Sequence, residues 1–205
     1  MVEDVSDQGL IFTNHHCGYG AIAAASTVEA NYLQNGFWAT DKSKEISSTL
    51  SVKFLNRIED VTNKVNEAVG NLTGAERTKK LAEISAEIRK GIVGDDEFKD
   101  AVVASMFKGN QFFLFVYDVY KDIRLVGTPP ESIGKFGGDT DNWEWPRHTG
   151  DFSVFRVYMS KDGKPSKFGK ENVPFKPKYF LPVSIKGFKD GDYSMTYGYP
   201  GGTNR

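Results

Sequence analysis

The sequence predicts a mainly β fold with an inserted α-helical segment, because its apolar patterns change character twice along the chain. Short apolar runs separated by glycines and polar turns fill residues 9–56 and return from residue 111 onward, as expected of strands. Between them, residues 58–108 carry apolar residues at helical spacing. A chain of 205 residues is long enough for one domain with such an insertion.

The first β-rich part predicts two strands and one helix. Residues 9–12 and 50–55 are short apolar runs and predict strands. Residues 26–29, Ser-Thr-Val-Glu, have the spacing of a capping box and predict a helix that continues through Leu33.

The inserted segment predicts helices with one apolar face and one charged face. A second capping box at 73–76 marks a helix start within it. The apolar stripes are Val61, Val65, Ala68 and Val69; Leu81, Ile84 and Ile88; and Phe98, Val102 and Met106. After the insertion, strands are predicted at 111–117, 123–127, 152–159, 179–186 and 193–198.

Composition excludes several classes of function. The net charge of −1 gives no basic surface for nucleic acid or an anionic membrane, and the longest apolar run, 111–117, is too short to span a bilayer. The acidic start Met1–Asp4 is not a signal peptide, which would indicate the cytoplasm if Met1 were the natural start. Both ends, however, are expected to be cut from a longer polypeptide, so the lack of a signal peptide does not indicate a cellular location.

The stretch TNHHCG at 13–18 contains the most reactive residues of the sequence. Zinc needs three or four converging ligands, whereas the chain has three histidines in all and one cysteine, so a metal site is disfavoured. A catalytic histidine instead needs a carboxylate that fixes its tautomer. Asp151, at the entrance of the predicted strand 152–159, is a candidate for that carboxylate. His15 is expected to be structural and turned toward a backbone group.

Several ordered blocks resemble one family of peptidases. Thr13–Cys17 is similar to the segment around the catalytic histidine of chymotrypsin-like serine peptidases, and DFSVFRV from Asp151 is similar to the segment of their acid. More closely, TNHHCGYGAI, NYLQNGFWA, LSVKFLNRIEDVT, GGDTDNWEWPRHTGDFSVFRVY and GYPGGTNR resemble the bacterial dipeptidyl peptidases of serine peptidase family 46. That family releases dipeptides from free N-termini.

The resemblance implies specific roles for four residues. His16 corresponds to the general base and Asp151 to the acid of the triad, while Asn142 and Trp143 correspond to the residues that hold the substrate's N-terminal amine. The nearby Asp139 and Asp141 are expected to be a solvated acidic loop, and Trp145 a core aromatic residue. No metal or cofactor is implied.

The resemblance also implies an architecture and a setting. Residues 1–57 and 109–205 are expected to form a chymotrypsin-like β-barrel, 58–108 to be part of an inserted helical domain, and the second barrel, with the nucleophilic serine, to be absent from these 205 residues. The family cysteine that would pair with Cys17 is also absent, which predicts a free thiol. The full-length protein is expected to be a periplasmic or cell-surface homodimer that acts on peptides.

Two alternatives remain open at this point. In the first, the chain is a non-catalytic peptide-binding module that keeps the amine-binding loop. In the second, it is a His/Cys metal protein, which predicts stoichiometric zinc.

Overall fold

Ten strands, all paired in the antiparallel sense, and five α-helices make up the part of the chain that this computed structural model describes, residues 3–141 and 144–195. The strands are β1 (Glu3–Asp4), β2 (Leu10–Thr13), β3 (Phe37–Trp38), β4 (Ile46–Ser47), β5 (Val52–Asp60), β6 (Lys99–Met106), β7 (Gln111–Tyr120), β8 (Asp122–Thr128), β9 (Ser153–Met159) and β10 (Val173–Pro174). The helices are α1 (His15–Ala25), α2 (Tyr32–Asn35), α3 (Thr62–Val69), α4 (Gly74–Val93) and α5 (Glu131–Gly134).

The larger sheet has seven strands and determines where the site lies. Its order is β1-β2-β9-β8-β3, with β10 also beside β9 and β4 also beside β8. Its core is apolar and includes Ile11, Ile123 and Phe155, each at most 1% exposed. The last residue of β2, Thr13, is the register partner of the first residue of β9, Ser153. The segment after β2 and the segment before β9 therefore meet at one edge of the sheet.

The smaller sheet, in the order β5-β7-β6, has a separate core beneath helices α3 and α4. Val65 of α3 and Ile88 of α4 pack on Leu114 and Val116 of the central strand β7. The helical predictions based on the stripes at 61–69 and 81–88 are confirmed. Helix α4 begins directly after Thr73, as the capping box predicts, although the Thr73 side chain makes no cap hydrogen bond.

The third predicted helical stripe is wrong, because the structure has strand β6 there. Val102 is 48% exposed and lies opposite Phe115 of β7, while Ala101 is fully buried under the helices. Apolar residues four positions apart share a face of a helix, but four is also an even number, so they share a face of a strand as well. The spacing alone could not separate the two structures.

The capping-box prediction at 26–29 is also wrong. Ser26 ends α1 instead of beginning a helix, since its hydroxyl donates to the carbonyl oxygen of Ile22. The next helix, α2, begins at Tyr32, and Asn31 caps it by accepting from the N–H of Gln34. Helix α1 itself was not predicted from the sequence.

The strand predicted at 179–186 does not form, and the described residues 193–195 of the strand predicted at 193–198 are not in a strand. The described residues 179–195 contain no strand, and Ile185 and Phe188 in this segment are more than 90% exposed. One backbone hydrogen bond, from the Leu181 N–H to the Asp4 carbonyl oxygen, joins the segment to the edge of the larger sheet. Strand formation needs a partner along its length, and this segment has one only at that point. Residues 196–198, the rest of the second predicted strand, lie outside the described residues.

Candidate active site

His16 and Asp151, the two residues predicted to act together, are in direct contact. Nδ1 of the His16 imidazole lies 2.6 Å from Oδ2 of Asp151. The carboxylate can only accept, so Nδ1 carries the hydrogen and Nε2 is left free to accept a proton. The His16 side chain is 70% exposed and that of Asp151 is 30% exposed, so the imidazole is open to a ligand.

The backbone of α1 holds the same carboxylate. The His16 N–H donates to Oδ1 of Asp151 over 3.0 Å, and the backbone of His15 also favours the ionised form of this carboxylate. The Asn14 amide donates to Oδ2 and to the main-chain oxygen of Asp151 at 3.3 and 3.2 Å. Asp151 thus occupies the N-terminus of α1, where unpaired N–H groups and the helix dipole favour a negative charge.

Two opposing effects act on the ionisation of Asp151. Partial burial is the largest single influence and raises the pKa, but the hydrogen bonds from the His16 backbone and imidazole, together with the His16 charge, outweigh it. The pKa of Asp151 therefore lies below its ordinary value, and the carboxylate is ionised at neutral pH.

Helix α1 lies directly against the start of β9, which fixes the contact between the two residues. Ser153 is fully buried and donates through its hydroxyl to the carbonyl oxygen of Asn14 over 3.0 Å. Gly18 faces the same strand: a Cβ at this position would lie 2.6 Å from the Ser153 hydroxyl oxygen and 3.1 Å from the Phe155 ring. Only glycine allows this close approach.

His15, next to His16 in sequence, points to the opposite side and is 1% exposed. Its Nδ1 lies 3.1 Å from the hydroxyl oxygen of Thr128, so the predicted backbone partner is replaced by a side chain. Burial lowers the pKa of His15 below its ordinary value, even though the nearby carboxylates of Asp151 and Glu131 act in the other direction. His15 is therefore neutral at pH 7.

A long loop, residues 136–149, leaves α5 and returns to Asp151; we call it the 136–149 loop. Its two stems are tied together by the hydrogen bond from the Gly150 N–H to the Ile133 carbonyl oxygen, at 2.9 Å, and by the contact between the Phe136 and His148 rings. Asn142 and Trp143, the predicted amine-binding residues, belong to this loop but lie outside the described residues.

The described part of the 136–149 loop is polar and open. Asp139 is 93% exposed and pairs with Lys135 at 2.7 Å, in agreement with a solvated acidic loop. Trp145 is 89% exposed, so the prediction of a core aromatic is wrong. A groove of about 540 Å³ lies beside the loop and α5, with Glu131 and Lys135 in its wall. A groove of this volume, beside the loop that the sequence predicts to bind the substrate amine, has room for a small peptide segment.

Within the described ranges, no group of three or more His, Cys, Asp or Glu side chains has the arrangement of a metal site. Cys17 is exposed and is the one cysteine of the sequence. In the same ranges, no helix is both long and apolar enough to cross a lipid bilayer.

Three polar residues of the site were not singled out as functional from the sequence: Asn14, Thr128 and Ser153. Asn14 lies inside TNHHCG, so its position two residues before His16 could have identified it. Thr128 and Ser153 become partners of α1 only through strand pairing over more than 100 residues, and no local pattern marks them.

An exposed imidazole held by an ionised carboxylate is the base-and-acid pair of hydrolases that activate a hydroxyl nucleophile. Comparison with known proteins specifies the class: residues 3–205 match the Peptidase S46 family, and the chain belongs to that family. It is 52% identical over 203 residues to dipeptidyl-peptidase 7 of Porphyromonas gingivalis, and 50% identical over 203 residues to an Asp/Glu-specific dipeptidyl-peptidase of Capnocytophaga gingivalis.

These matches cover 98% of this chain but 28% of each relative, so the chain spans little more than a quarter of their length. The structure is similar to that of Porphyromonas endodontalis DPP11 in complex with substrate, with a TM-score of 0.82 and 40% identity over 93% of this chain and 29% of the other. The mixture of antiparallel sheets and helices is thus that of a known dipeptidyl peptidase structure, and the family resemblance found in the sequence is confirmed.

Proposed function

We propose that the protein is a serine-type exopeptidase that releases dipeptides from the free N-termini of peptides. The observation that carries the proposal is the 2.6 Å contact between His16 Nδ1 and Asp151 Oδ2, in a chain of the Peptidase S46 family. Related proteins named dipeptidyl peptidases, and a relative whose structure holds the dipeptide Arg-Glu, support the substrate class.

The geometry gives each residue a step in the reaction. His16 Nε2 takes the proton of a serine hydroxyl as the serine oxygen attacks the carbonyl carbon of the second peptide bond. Asp151 keeps Nδ1 protonated and stabilises the imidazolium that forms. When the tetrahedral intermediate collapses, His16 gives the proton to the leaving amine. The same imidazole then deprotonates a water molecule, which attacks the acyl-enzyme, and the imidazolium returns the proton to the serine oxygen as the dipeptide is released.

The nucleophile belongs to the proposal as well. Among the described residues, no serine hydroxyl hydrogen-bonds to the His16 imidazole, and we propose that a serine outside these 205 residues supplies the oxygen. The larger sheet, whose strands come from both flanking parts, 1–57 and 109–205, would then belong to one chymotrypsin-like barrel that the segment 58–108 interrupts in sequence, and a second barrel would carry the serine.

The 136–149 loop is proposed to select the free N-terminus. Asn142 offers an amide oxygen and Trp143 an aromatic face, and both attract an ammonium group. A blocked N-terminus carries no charge and is bulkier, so it would be rejected. A periplasmic or cell-surface location and a homodimer are further parts of the proposal, which fractionation and sedimentation would test.

The experiment uses a protein of the relatives' length that contains this chain, with fluorogenic dipeptides whose N-termini are free or blocked. We expect cleavage of the free substrates only, and loss of kcat by a factor of about 10⁴ or more in His16→Ala. Asn142→Ala should raise KM for free substrates by roughly 10-fold or more. Asn63→Ala, exposed on α3, is the control and should match the wild type.

Two results would overturn the proposal. If the wild type cleaves neither acidic nor apolar dipeptides but binds them, the protein is a peptide-binding module and the pair has another role. If His16→Ala cleaves as fast as the wild type, the His16–Asp151 pair is not the catalytic pair.

A further inference from the structure

His15 is fully buried between three elements, although an imidazole is costly to bury. Its Nδ1 contacts the hydroxyl oxygen of Thr128, the last residue of β8, at 3.1 Å. Its ring packs closely on Gly134, the last residue of α5, where a Cβ would be only 2.5 Å from the ring. His15 is itself the first residue of α1. His15 thus joins α1, β8 and α5 at one point.

The hydrogen-bond pattern fixes one tautomer of His15. The Thr128 hydroxyl donates to the Pro129 carbonyl oxygen at 3.1 Å, so its oxygen accepts from His15 and Nδ1 carries the hydrogen. Among the described residues nothing hydrogen-bonds to Nε2 of His15. The opposite tautomer would leave a buried N–H donor without a partner there, which costs more than an unfilled acceptor.

The elements that meet at His15 are those that carry the site. His16, the next residue, presents the imidazole that contacts Asp151. The 136–149 loop begins two residues after Gly134, and its return stem is bound to Ile133 through Gly150. A shift of the His15 ring would therefore move the first turn of α1 and the stem of this loop together.

We propose that His15 is a positioning residue of the peptidase site. Through its hydrogen bond to Thr128 and its contact with Gly134, it fixes the position of His16 relative to Asp151 and to the base of the 136–149 loop. The proposal rests on the proposed peptidase function for its kinetic consequences. Misplacement of a catalytic group by about 1 Å costs on the order of 10²-fold in rate, so the expected effect is on kcat.

The hydrogen bond between His15 and Thr128 can be removed by a substitution at either residue. At each residue a second, conservative substitution should keep the bond. His15→Phe keeps a ring on Gly134 but has no donor, whereas His15→Asn keeps an N–H near the position of Nδ1. Thr128→Val removes the hydroxyl, whereas Thr128→Ser keeps it. These four variants, and the double variant His15→Phe/Thr128→Val, form the test set.

In the protein that carries the nucleophile, at a temperature where every variant is folded, we expect kcat to fall by roughly 10- to 100-fold in His15→Phe and Thr128→Val. KM for free dipeptides should change by less than about 3-fold, and His15→Asn and Thr128→Ser should recover most of kcat. The double variant should be no slower than the slower single variant, because both remove the same bond.

A spectroscopic measurement gives the second readout. Imidazole ¹⁵N spectra of the histidine-labelled protein report the tautomer of each ring. We expect His16 to be held as the Nδ1–H tautomer in the wild type and Thr128→Ser, and to show a mixture of tautomers in Thr128→Val. A residue with a purely structural role would lower Tm without changing kcat of the folded protein or the His16 spectrum, and that result would overturn the proposal.

Failure of the proposed function gives a different pattern. If the wild type is inactive on all dipeptides, the peptidase assignment fails, and the His16 spectra alone decide whether His15 positions the imidazole. An unchanged His16 tautomer in Thr128→Val would then refute the positioning role. A change would support it.

Discussion

Asp151 accepts two hydrogen bonds from the same residue, one from the His16 imidazole and one from the His16 backbone N–H. The first sets the tautomer of the ring. The second fixes the position of the His16 backbone at the start of α1. The side chain and the backbone of His16 are therefore both held by one carboxylate. This arrangement limits the freedom of His16 without enclosing it, which suits its proposed role as a base that is open to substrate.

Asp151→Asn should abolish most of the activity while the protein stays folded. The amide of Asn can donate to Nδ1 and so favours the wrong tautomer of His16, and in a serine triad that change lowers kcat by about 10⁴-fold. The helix N-terminus also loses a negative charge, which should lower the free energy of unfolding by about 1 kcal/mol. Steady-state kinetics and urea unfolding measure the two effects.

Asp162→Asn is the control for this substitution. Asp162 is exposed, pairs with Lys164 at 3.4 Å, and follows the far end of β9 from Asp151. It should leave kcat and the free energy of unfolding within error of the wild type. Equal loss of kcat in the two variants would contradict the role of Asp151.

Gly18→Ala should destabilise the protein, and Gly20→Ala, in the same helix, should not. A Cβ at position 18 meets the Ser153 hydroxyl oxygen and the Phe155 ring, whereas a Cβ at position 20 meets nothing within 4 Å. We expect Gly18→Ala to cost about 1–3 kcal/mol through overpacking. Gly20→Ala should be neutral or stabilise by up to about 1 kcal/mol through helix propensity. Thermal melts of the two variants test this difference in stability, and equal Tm values would refute the close packing of α1 on β9.

His15 should make stability depend on pH in the acid range. The pKa of this buried imidazole lies below its ordinary value of 6.5, so the unfolded chain binds a proton first as the pH falls. The free energy of unfolding should therefore decrease as the pH falls below about 6.5 toward the folded-state pKa, and His15 contributes no slope above that range.

Urea unfolding of the wild type and His15→Asn at several values between pH 7.5 and 5 isolates this contribution. The variant should be less stable at pH 7.5 but should lose less stability on acidification. Parallel pH profiles of the two proteins would show that His15 does not titrate in this way.

The sequence predicted the contact between His16 and Asp151, although 134 residues lie between them, because a family pattern marked both positions. Strands such as β7, β8 and β9 were also predictable, since alternation and flanking turns are local signals. Helix α1 was not, because Gly18 and Gly20 lower its helix propensity; its stability comes from Asp151 at its N-terminus and from β9 along one face.

The errors have a common physical cause. Val102 and Met106 fit a helix and a strand equally well, and the choice is made by pairing with β7. Trp145 was expected in the core as a large aromatic residue before Pro146, and its exposure follows from its place in the 136–149 loop. The hydrogen bond between His15 and Thr128 joins residues more than 100 positions apart, and only the register of the larger sheet creates it.

A buried ion pair at the start of β8 should be a sensitive electrostatic point of the larger sheet. Asp122, whose side chain is fully buried, accepts two hydrogen bonds from Arg124, at 2.9 and 2.8 Å, and one from Asn172 at 2.8 Å. The Arg124 guanidinium stacks 3.7 Å from the centre of the Tyr158 ring. Burial opposes its charge, but Asp122 outweighs burial, so the pKa of Arg124 lies above its ordinary value.

Asp122→Ala should lower the free energy of unfolding by about 3–5 kcal/mol, because it leaves the buried Arg124 charge without its carboxylate partner. The partly buried Asn172 amide also loses one of its two acceptors. The control is Glu171→Ala, which removes the exposed pair with Lys161 and should change stability by at most about 0.5 kcal/mol. Urea unfolding of both variants, with far-UV circular dichroism to confirm that each begins folded, makes the comparison. Similar losses in the two variants would mean that water reaches Arg124 and compensates for the missing carboxylate. A loss confined to Asp122→Ala would show that the buried pair, and not surface charge in general, stabilises the larger sheet.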